Sequence, residues 1–430
     1  MLERFFNLKA HNTNARTEIV AGITTFLTMS YIIFVNPDIL SSTGMDRDAV
    51  FVATCLAAAI GTLVMALVAN WPIGMAPGMG LNAFFAFTIV GAMGYTWQQA
   101  LGAVFISGVI FMILTISGIR AWLIRGIPKS LQSAIAAGIG LFLAIIALGT
   151  SGIVVAHPAT KIALGDLTSA PALFAILGFF IIAALDALRV RGAILLGVLG
   201  VTVLSMLTGH NQFQGIFSAP PSLAPTFFQL DIMGALHTGF VHIILVLVLV
   251  EVFDATGTLI GVAKRANLIP EGKPNRLGRA LFADSTAIVA GSMLGTSSTT
   301  AYVESASGVQ AGGRTGLTAL TIAVLFLLSL FLAPLAGSVP GYATAPALLY
   351  VAGLMLRELS EINWNESTEA IPAALTATMM PFTYSIANGL AFGFISYVVI
   401  KLLTGRAREV HPATLLVAIL FVIKYTWFPD

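Results

Sequence analysis

Runs of roughly twenty apolar residues follow one another along almost the whole chain, and about 20 such residues carry a helix across the hydrocarbon of a bilayer. The polar N-terminal stretch MLERFFNLKAHNTNARTE has no cleavable signal pattern. After it the runs fall at 18–40, 49–69, 97–118, 130–152, 171–188, 192–208, 236–260, 278–294, 315–335, 343–357, 367–384 and 387–403, with one more at 411–427. Two further stretches, 73–92 and 295–311, are apolar but too rich in Gly, Ser and Thr for plain helices. This layout gives fourteen segments and a C-terminal extra. Composition agrees: 57% of the residues are hydrophobic and 9% charged, where a soluble domain carries about 25% charge. A soluble enzyme, a disordered chain and a fibre are therefore excluded. The chain reads as an all-α polytopic membrane protein.

Lys and Arg favour cytoplasmic loops, which tests the layout. With the N-terminus inside and each Gly-rich segment crossing once, 18 of the 21 basic residues fall on the cytoplasmic side. Arg47 and Lys161 stay outside, and Lys424 lies at the far end of the last run. The alternation is consistent throughout, and places the N-terminus in the cytoplasm. Whether 411–427 spans the bilayer or lies along its surface is open at this level.

The two Gly-rich segments are the informative feature. One reads Gly74-Met-Ala-Pro-Gly-Met-Gly-Leu-Asn82-Ala-Phe-Phe-Ala-Phe87 and the other Gly295-Thr-Ser-Ser-Thr-Thr-Ala-Tyr302-Val-Glu304-Ser-Ala-Ser-Gly308. They begin about half a chain apart and, in this layout, cross in opposite directions. Interrupted segments at matched positions of two halves point to a transporter site built from inverted repeats. Irregular backbone at membrane depth persists only where protein buries it or where it lines a cavity. Glycines that merely let helices pack closely are the alternative; matched position and reversed direction favour the site. The expectation is a short extended stretch before a half-helix in each segment. The two should meet near the bilayer midplane at a cavity lined also by Asp254.

Four acids sit inside apolar runs: Glu251, Asp254, Asp284 and Glu304. An ionisable group at that depth costs about 2.5–3.5 kcal/mol on insertion scales, so each is a functional candidate. The sequence places no basic residue among them, which leaves protons, a cation or substrate N–H groups as their partners. Asp254 is followed by small residues in Phe-Asp-Ala-Thr-Gly-Thr-Leu, and Glu304 follows a Ser/Thr run where a half-helix would begin. Carboxylates beside freed backbone N–H groups suit a planar polar heterocycle, with Tyr31, Phe34, Phe84, Phe85 and Phe87 as candidate stacking faces. Glu251 either joins the site or faces a helix neighbour. Asp284 either supports the site and relays protons, or is satisfied by Ser and Thr hydroxyls.

Other chemistry finds no footing. A net charge of +2 without a basic stripe excludes nucleic acid as a partner. The single Cys55 allows no intrachain disulfide. There is no Walker A sequence and no HExxH, and six scattered histidines offer no metal cluster. Neither a metal nor another cofactor is expected.

At these residues the chain resembles the nucleobase–cation symporter family, in its purine (hypoxanthine, guanine, adenine) permease branch. The resemblance runs over essentially the whole chain, through Arg16-Thr-Glu-Ile-Val-Ala-Gly-Ile-Thr-Thr-Phe-Leu-Thr-Met29, Phe34-Val-Asn-Pro37, Gly78–Phe87, Phe253-Asp-Ala-Thr-Gly-Thr-Leu-Ile-Gly261, Gly295-Thr-Ser-Ser298, Tyr302-Val-Glu-Ser305, Gly312–Thr318 and Val339-Pro-Gly-Tyr-Ala-Thr344. It implies fourteen spans as a seven-plus-seven inverted repeat. Core parts would be 17–118 and 232–335, gate parts 119–208 and 342–403, with 411–427 an extra helix. It also implies substrate contacts at Asp254, Glu304, Asn82, Phe84, Phe85, Thr258, Tyr302 and Ser305, and proton coupling through Asp254, Asp284 and Glu304. Uracil permeases carry Glu where Asp254 stands and His where Thr258 stands, a change consistent with a larger purine.

The resulting expectation is a secondary active importer of purine nucleobases in a bacterial inner membrane, not an enzyme. Its partners would be the nucleobase, the lipid bilayer and a coupling ion, H⁺ or else Na⁺, and a homodimer is left open. The alternatives are an anion exchanger or channel of the same architecture, which unpaired site carboxylates would oppose, and an intramembrane enzyme, for which no nucleophile–base or diacid arrangement is present.

Overall fold

The computed structural model describes residues 2–236, 241–269 and 276–427. The chain opens with α1 (Leu2–Phe6), α2 (Ala15–Met29) and α3 (Ile32–Ser41). Asn14 starts α2 by accepting from the Thr17 N–H at 3.0 Å, and Asp46 starts α4 (Arg47–Val64) through the Ala49 N–H at 2.8 Å. Such side-chain oxygens satisfy N–H groups that a helix start leaves orphaned. A π turn over Met65–Ala69 ends α4, and β1 (Met75–Pro77) follows. Helix α5 (Met79–Ala83) then widens into a π-helix over Phe84–Ala92.

A Thr96–Gln99 capping box opens α6 (Trp97–Ile116), followed by the short α7 (Ile119–Gly126) and by α8 (Lys129–Thr150). A hairpin of β2 (Val154–His157) and β3 (Lys161–Leu164) leads to α9 (Ala170–Ala187) and α10 (Ala193–Leu207). Next come α11 (Ile232–Ala235), α12 (Val241–Arg265), α13 (Leu277–Leu294), β4 (Thr299–Ala301), α14 (Ser305–Gln310) and α15 (Gly316–Ser329). The chain closes with α16 (Ala333–Gly337), α17 (Gly341–Met355), α18 (Ser367–Phe382), α19 (Ile386–Leu403) and α20 (Pro412–Trp427).

Eight helices among the described residues are long and apolar enough to cross a membrane: Ala15–Ser41, Arg47–Ala69, Trp97–Ile116, Lys129–Thr150, Ala170–Ala187, Ile243–Arg265, Gly316–Gly337 and Ile386–Leu403. Shorter apolar helices run over Met79–Ala92, Ala193–Leu207 and Pro412–Thr426. The other expected spans are helical as well, as α13, α17 and α18. The protein is a multi-pass membrane protein.

Two sets of helices are distinguished by what they touch. In one, α2, α4 and α6 pack on α13, α14 and α15. In the other, α8, α9 and α10 pack with α17, α18 and α19. Close approach in the first set depends on residues without a side chain. Gly316 begins α15 against the π turn, where a Cβ would strike the Ala66 carbonyl. Gly295 ends α13 at φ +96°, and a Cβ there would strike Thr226. Helix α20 packs on α19 and α7, and Thr414 donates to the Gly126 carbonyl at 2.5 Å.

The interrupted segments do contain extended stretches, and these pair with each other. β1 and β4 run antiparallel, with Met75 opposite Ala301, Ala76 opposite Thr300 and Pro77 opposite Thr299. The β2–β3 hairpin was not anticipated. Its strands are largely exposed, so no burial pattern announces them; a turn closed by His157 and Lys161, with Lys161 at φ +69°, sets them instead.

Opposed residues of an antiparallel pair lie about 4.5–5.5 Å apart between Cα atoms, within disulfide reach. Met75→Cys with Ala301→Cys, in a Cys55→Ala background, should therefore crosslink under mild oxidation. Absence of the crosslink on non-reducing gels of folded protein would contradict the pairing.

Candidate functional site

Every backbone polar group of an extended stretch inside a membrane protein needs a partner. Beyond the strand pair itself, the Gly78 N–H donates to the Ser298 carbonyl at 2.9 Å and the Tyr302 N–H to the Gly74 carbonyl at 3.0 Å. The Tyr302 hydroxyl donates to the Pro77 carbonyl at 2.6 Å. Ser305 accepts from the Gly74 N–H at 3.0 Å. From α4, the Thr62 hydroxyl accepts from the Met75 N–H at 2.8 Å.

The side chains of 296–304 then reach different helices in turn. Thr296 accepts from Asn36 of α3 at 2.9 Å, and Asn36 also donates to Thr54 at 2.7 Å. Ser297 donates to Asn82 Oδ1 of α5. Ser298 donates to Glu251 Oε1 of α12 at 2.9 Å, an oxygen that also accepts from Ser107 of α6 at 3.1 Å. Thr300 donates to Asp284 Oδ1 of α13 at 3.0 Å. Ser298 and Thr300 are two residues apart in extended chain and so share a face, the one turned to α12 and α13. Glu304, at the start of α14, accepts from the Tyr31 hydroxyl at 2.7 Å.

Of the expected contact residues, Glu304 is half-buried beside the exposed Val303, and Asn82 is buried with its Nδ2 unpartnered among the described residues. These two offer an acceptor and a donor at opposite ends of the antiparallel strand pair, Glu304 beyond Ala301 and Asn82 beyond Pro77. Tyr302 and Ser305 are committed to the β1 backbone. Phe84 and Phe85 are wholly packed inside the protein, while Phe87 is half-buried. Thr258 is half-buried on α12. The Asp254 side chain lies outside the described residues. Tyr31 serves as a hydrogen-bond donor to Glu304 rather than as a bare aromatic face.

The expectation that no basic residue is buried among the acids is corrected by Arg120. Counted as a cytoplasmic loop residue, it is instead 1% exposed on α7, its guanidinium 3.7 Å from Asp284 Oδ2 and 4.0 Å from the centre of the Phe111 ring. The short α7 packs on α6 and α12, which brings it inside. Asp284 is thus bonded to a hydroxyl, as one of its two readings had it, and is ion-paired as well, which neither reading included. Glu18 is a further fully buried acid that sequence reasoning passed over as a span end. It accepts from the Arg314 and Thr315 N–H groups at 2.9 and 3.2 Å and from the Thr318 hydroxyl at 2.6 Å, which fixes the start of α15 on α2. Asn36 and Ser107 were also missed. Polar residues of that kind in an apolar helix are the only signal the sequence carries for them.

A sequence model described as the permease family matches residues 16–423. The chain belongs to the permease family. It is 51% identical to the adenine permease AdeP of Escherichia coli strain K12 over 425 residues, covering 99% of this chain and 96% of that protein. It is 45% identical to the guanine/hypoxanthine permease PbuO of Bacillus subtilis strain 168, covering 97% and 99%. Permeases of this family are transporters, not enzymes. Among solved structures, the transmembrane domain of the cyanobacterial bicarbonate transporter BicA superposes with a TM-score of 0.67 at 16% identity, covering 87% of this chain and 97% of that one. That likeness establishes a common fold.

Removing one member of a buried ion pair leaves the other charge uncompensated, at a cost of about 3–5 kcal/mol. Arg120→Met should accordingly lower the thermal stability of the purified protein strongly. Adding Asp284→Asn should restore part of the loss. Two purely additive losses in thermal unfolding would contradict the pairing.

Proposed function

We propose that this protein is a secondary active transporter that imports purine nucleobases coupled to protons. The observation that carries this reading is the 51% identity to an adenine permease across 99% of the chain. In this reading the strand pair is the centre of a fourteen-span, seven-plus-seven inverted repeat in the inner membrane, with the N-terminus in the cytoplasm. A core block of 17–118 and 232–335 moves against a gate block of 119–208 and 342–403, which exposes the site alternately to each side. The division of helix packing described above supports that grouping.

The purine lies along the strand pair, between the starts of α5 and α14. Glu304 and Asp254 accept hydrogen bonds from ring or exocyclic N–H groups, and Asn82 Nδ2 donates to an acceptor on the base. Thr258 lies one helical turn beyond Asp254, while Phe84, Phe85, Tyr302 and Ser305 hold the shape of the wall. Asp254 and Glu304 hold the substrate, and Asp284 supports them through its pairing with Arg120. Identities of 51% and 47% to two adenine permeases, against 45% and 44% to two guanine/hypoxanthine permeases, put adenine first among the purines to test. An anion substrate fits less well, because among the described residues Glu304 is paired with a neutral tyrosine and with no cation.

A hydrogen bond to a charged group contributes about 1.5–3 kcal/mol. Glu304→Gln should thus weaken adenine binding about 10- to 100-fold and nearly abolish uptake by cells lacking their own carriers. Wild-type affinity of the purified variant in calorimetry would remove Glu304 from the site.

Proton coupling predicts that uptake rises as external pH falls and collapses with a protonophore. Uptake indifferent to pH and driven by a Na⁺ gradient would transfer the coupling to sodium.

A further inference from the structure

We propose that Glu251 is a proton-binding site separate from the Glu304 end of the strand pair, and that its proton is the one that couples uptake to the proton gradient. This rests on the proton-coupled reading above.

Glu251 is completely buried. Its Oε1 accepts from both Ser107 and Ser298, while Oε2 has no hydrogen-bond partner among the described residues. Asp284, equally buried, hangs from Thr300 on the same face of the same extended stretch. Residues two apart in a strand are separated by about 7 Å, so the two carboxyl groups form one cluster. Among the described residues, Asp284 and Arg120 act on Glu251 electrostatically.

Of the elements packed on α12, α6 and β4 present hydroxyls, α7 presents Arg120 and α13 presents Asp284. Glu304 at the start of α14 is bonded to Tyr31, Lys401 of α19 pairs with Glu369 and Glu409, and Lys129 of α8 is exposed. Asp254 shares α12, with its side chain outside the described residues.

Charge counting assigns the proton. A guanidinium stays protonated in proteins, so Arg120 compensates one carboxylate, and it stands beside Asp284. The second carboxylate would be an uncompensated charge in a dry interior, and such a group neutralises by taking a proton. Oε1 is occupied by two donors, which leaves Oε2 as the atom that carries it.

The same residue that binds Glu251 also meets the substrate side. The Ser298 carbonyl accepts from Gly78, the residue before α5, and neighbouring Ser297 bonds Asn82. Loss of the proton therefore acts on the joint between the two half-helices, and couples the charge state of Glu251 to the wall that holds Asn82.

The test uses the full chain in proteoliposomes with labelled adenine and an imposed proton gradient. Wild-type protein should accumulate adenine, and a protonophore should abolish the accumulation. Glu251→Gln, an uncharged mimic of the protonated acid, should bind adenine with wild-type affinity in calorimetry. It should equilibrate the label without concentrating it, and lose its pH dependence; Glu251→Asp should restore accumulation with a displaced pH profile.

Wild-type accumulation by Glu251→Gln would overturn the assignment while leaving proton coupling intact. A wild-type protein that accumulates adenine on a Na⁺ gradient alone would overturn the proton-coupled reading and this site with it. Should Glu251→Gln fail to reach the membrane, infrared spectra of the wild type and of Glu251→Asp decide. A protonated-carboxyl band that shifts between them supports the site, and an unchanged band overturns it.

Discussion

The structure depends on one constraint: extended backbone inside a membrane protein must find partners for its N–H and C=O groups. Two interrupted segments, far apart in sequence, meet it by pairing with each other. A helix closes the hydrogen bonds of its interior within itself. A three-residue strand cannot, so β1 and β4 hold together the halves of the chain that carry them. Thr62, Ser305 and Tyr302 complete the pairing from three further positions.

The Ser/Thr run 296–300 gives that joint its chemistry. Because consecutive side chains of an extended stretch point to opposite faces, Ser298 and Thr300 reach the acids of α12 and α13 together. Thr296, Ser297 and Glu304 reach α3, α5 and Tyr31 instead. One short segment thus touches α3, α5, α12, α13 and Tyr31. The fold is shared with a bicarbonate transporter at 16% identity. What such a scaffold moves is decided by side chains rather than by topology, and here acids and amides surround the strand ends.

The succession of apolar helices and the special status of 74–87 and 295–308 were legible in the sequence. Apolar runs have a length set by the bilayer, and Gly, Ser and Thr interrupt them at matched places. The extended stretches followed from the same composition, and their register did not, because register is set by which hydroxyls and carbonyls meet in three dimensions. Arg120 was illegible for a related reason. In sequence it belongs to a polar connector, and only the folding-in of α7 places its guanidinium against Asp284. Glu18 looked like a span end, yet it receives the backbone of Arg314 and Thr315 from the other half of the chain. Contacts across nearly three hundred residues leave no local pattern. Asn82 and Glu304 were found because each lies inside an interrupted segment; Asn36 lies in a regular helix and carried no such mark.

The central claim is that this joint serves a neutral heterocycle with N–H groups, not an anion. Proteoliposomes of the purified protein, given labelled adenine, hypoxanthine, guanine, uracil, bicarbonate and sulfate in parallel under one inward proton gradient, test it most directly. The account predicts that purines accumulate inside and that bicarbonate and sulfate do not. Accumulation of bicarbonate or sulfate with purines left outside would contradict it.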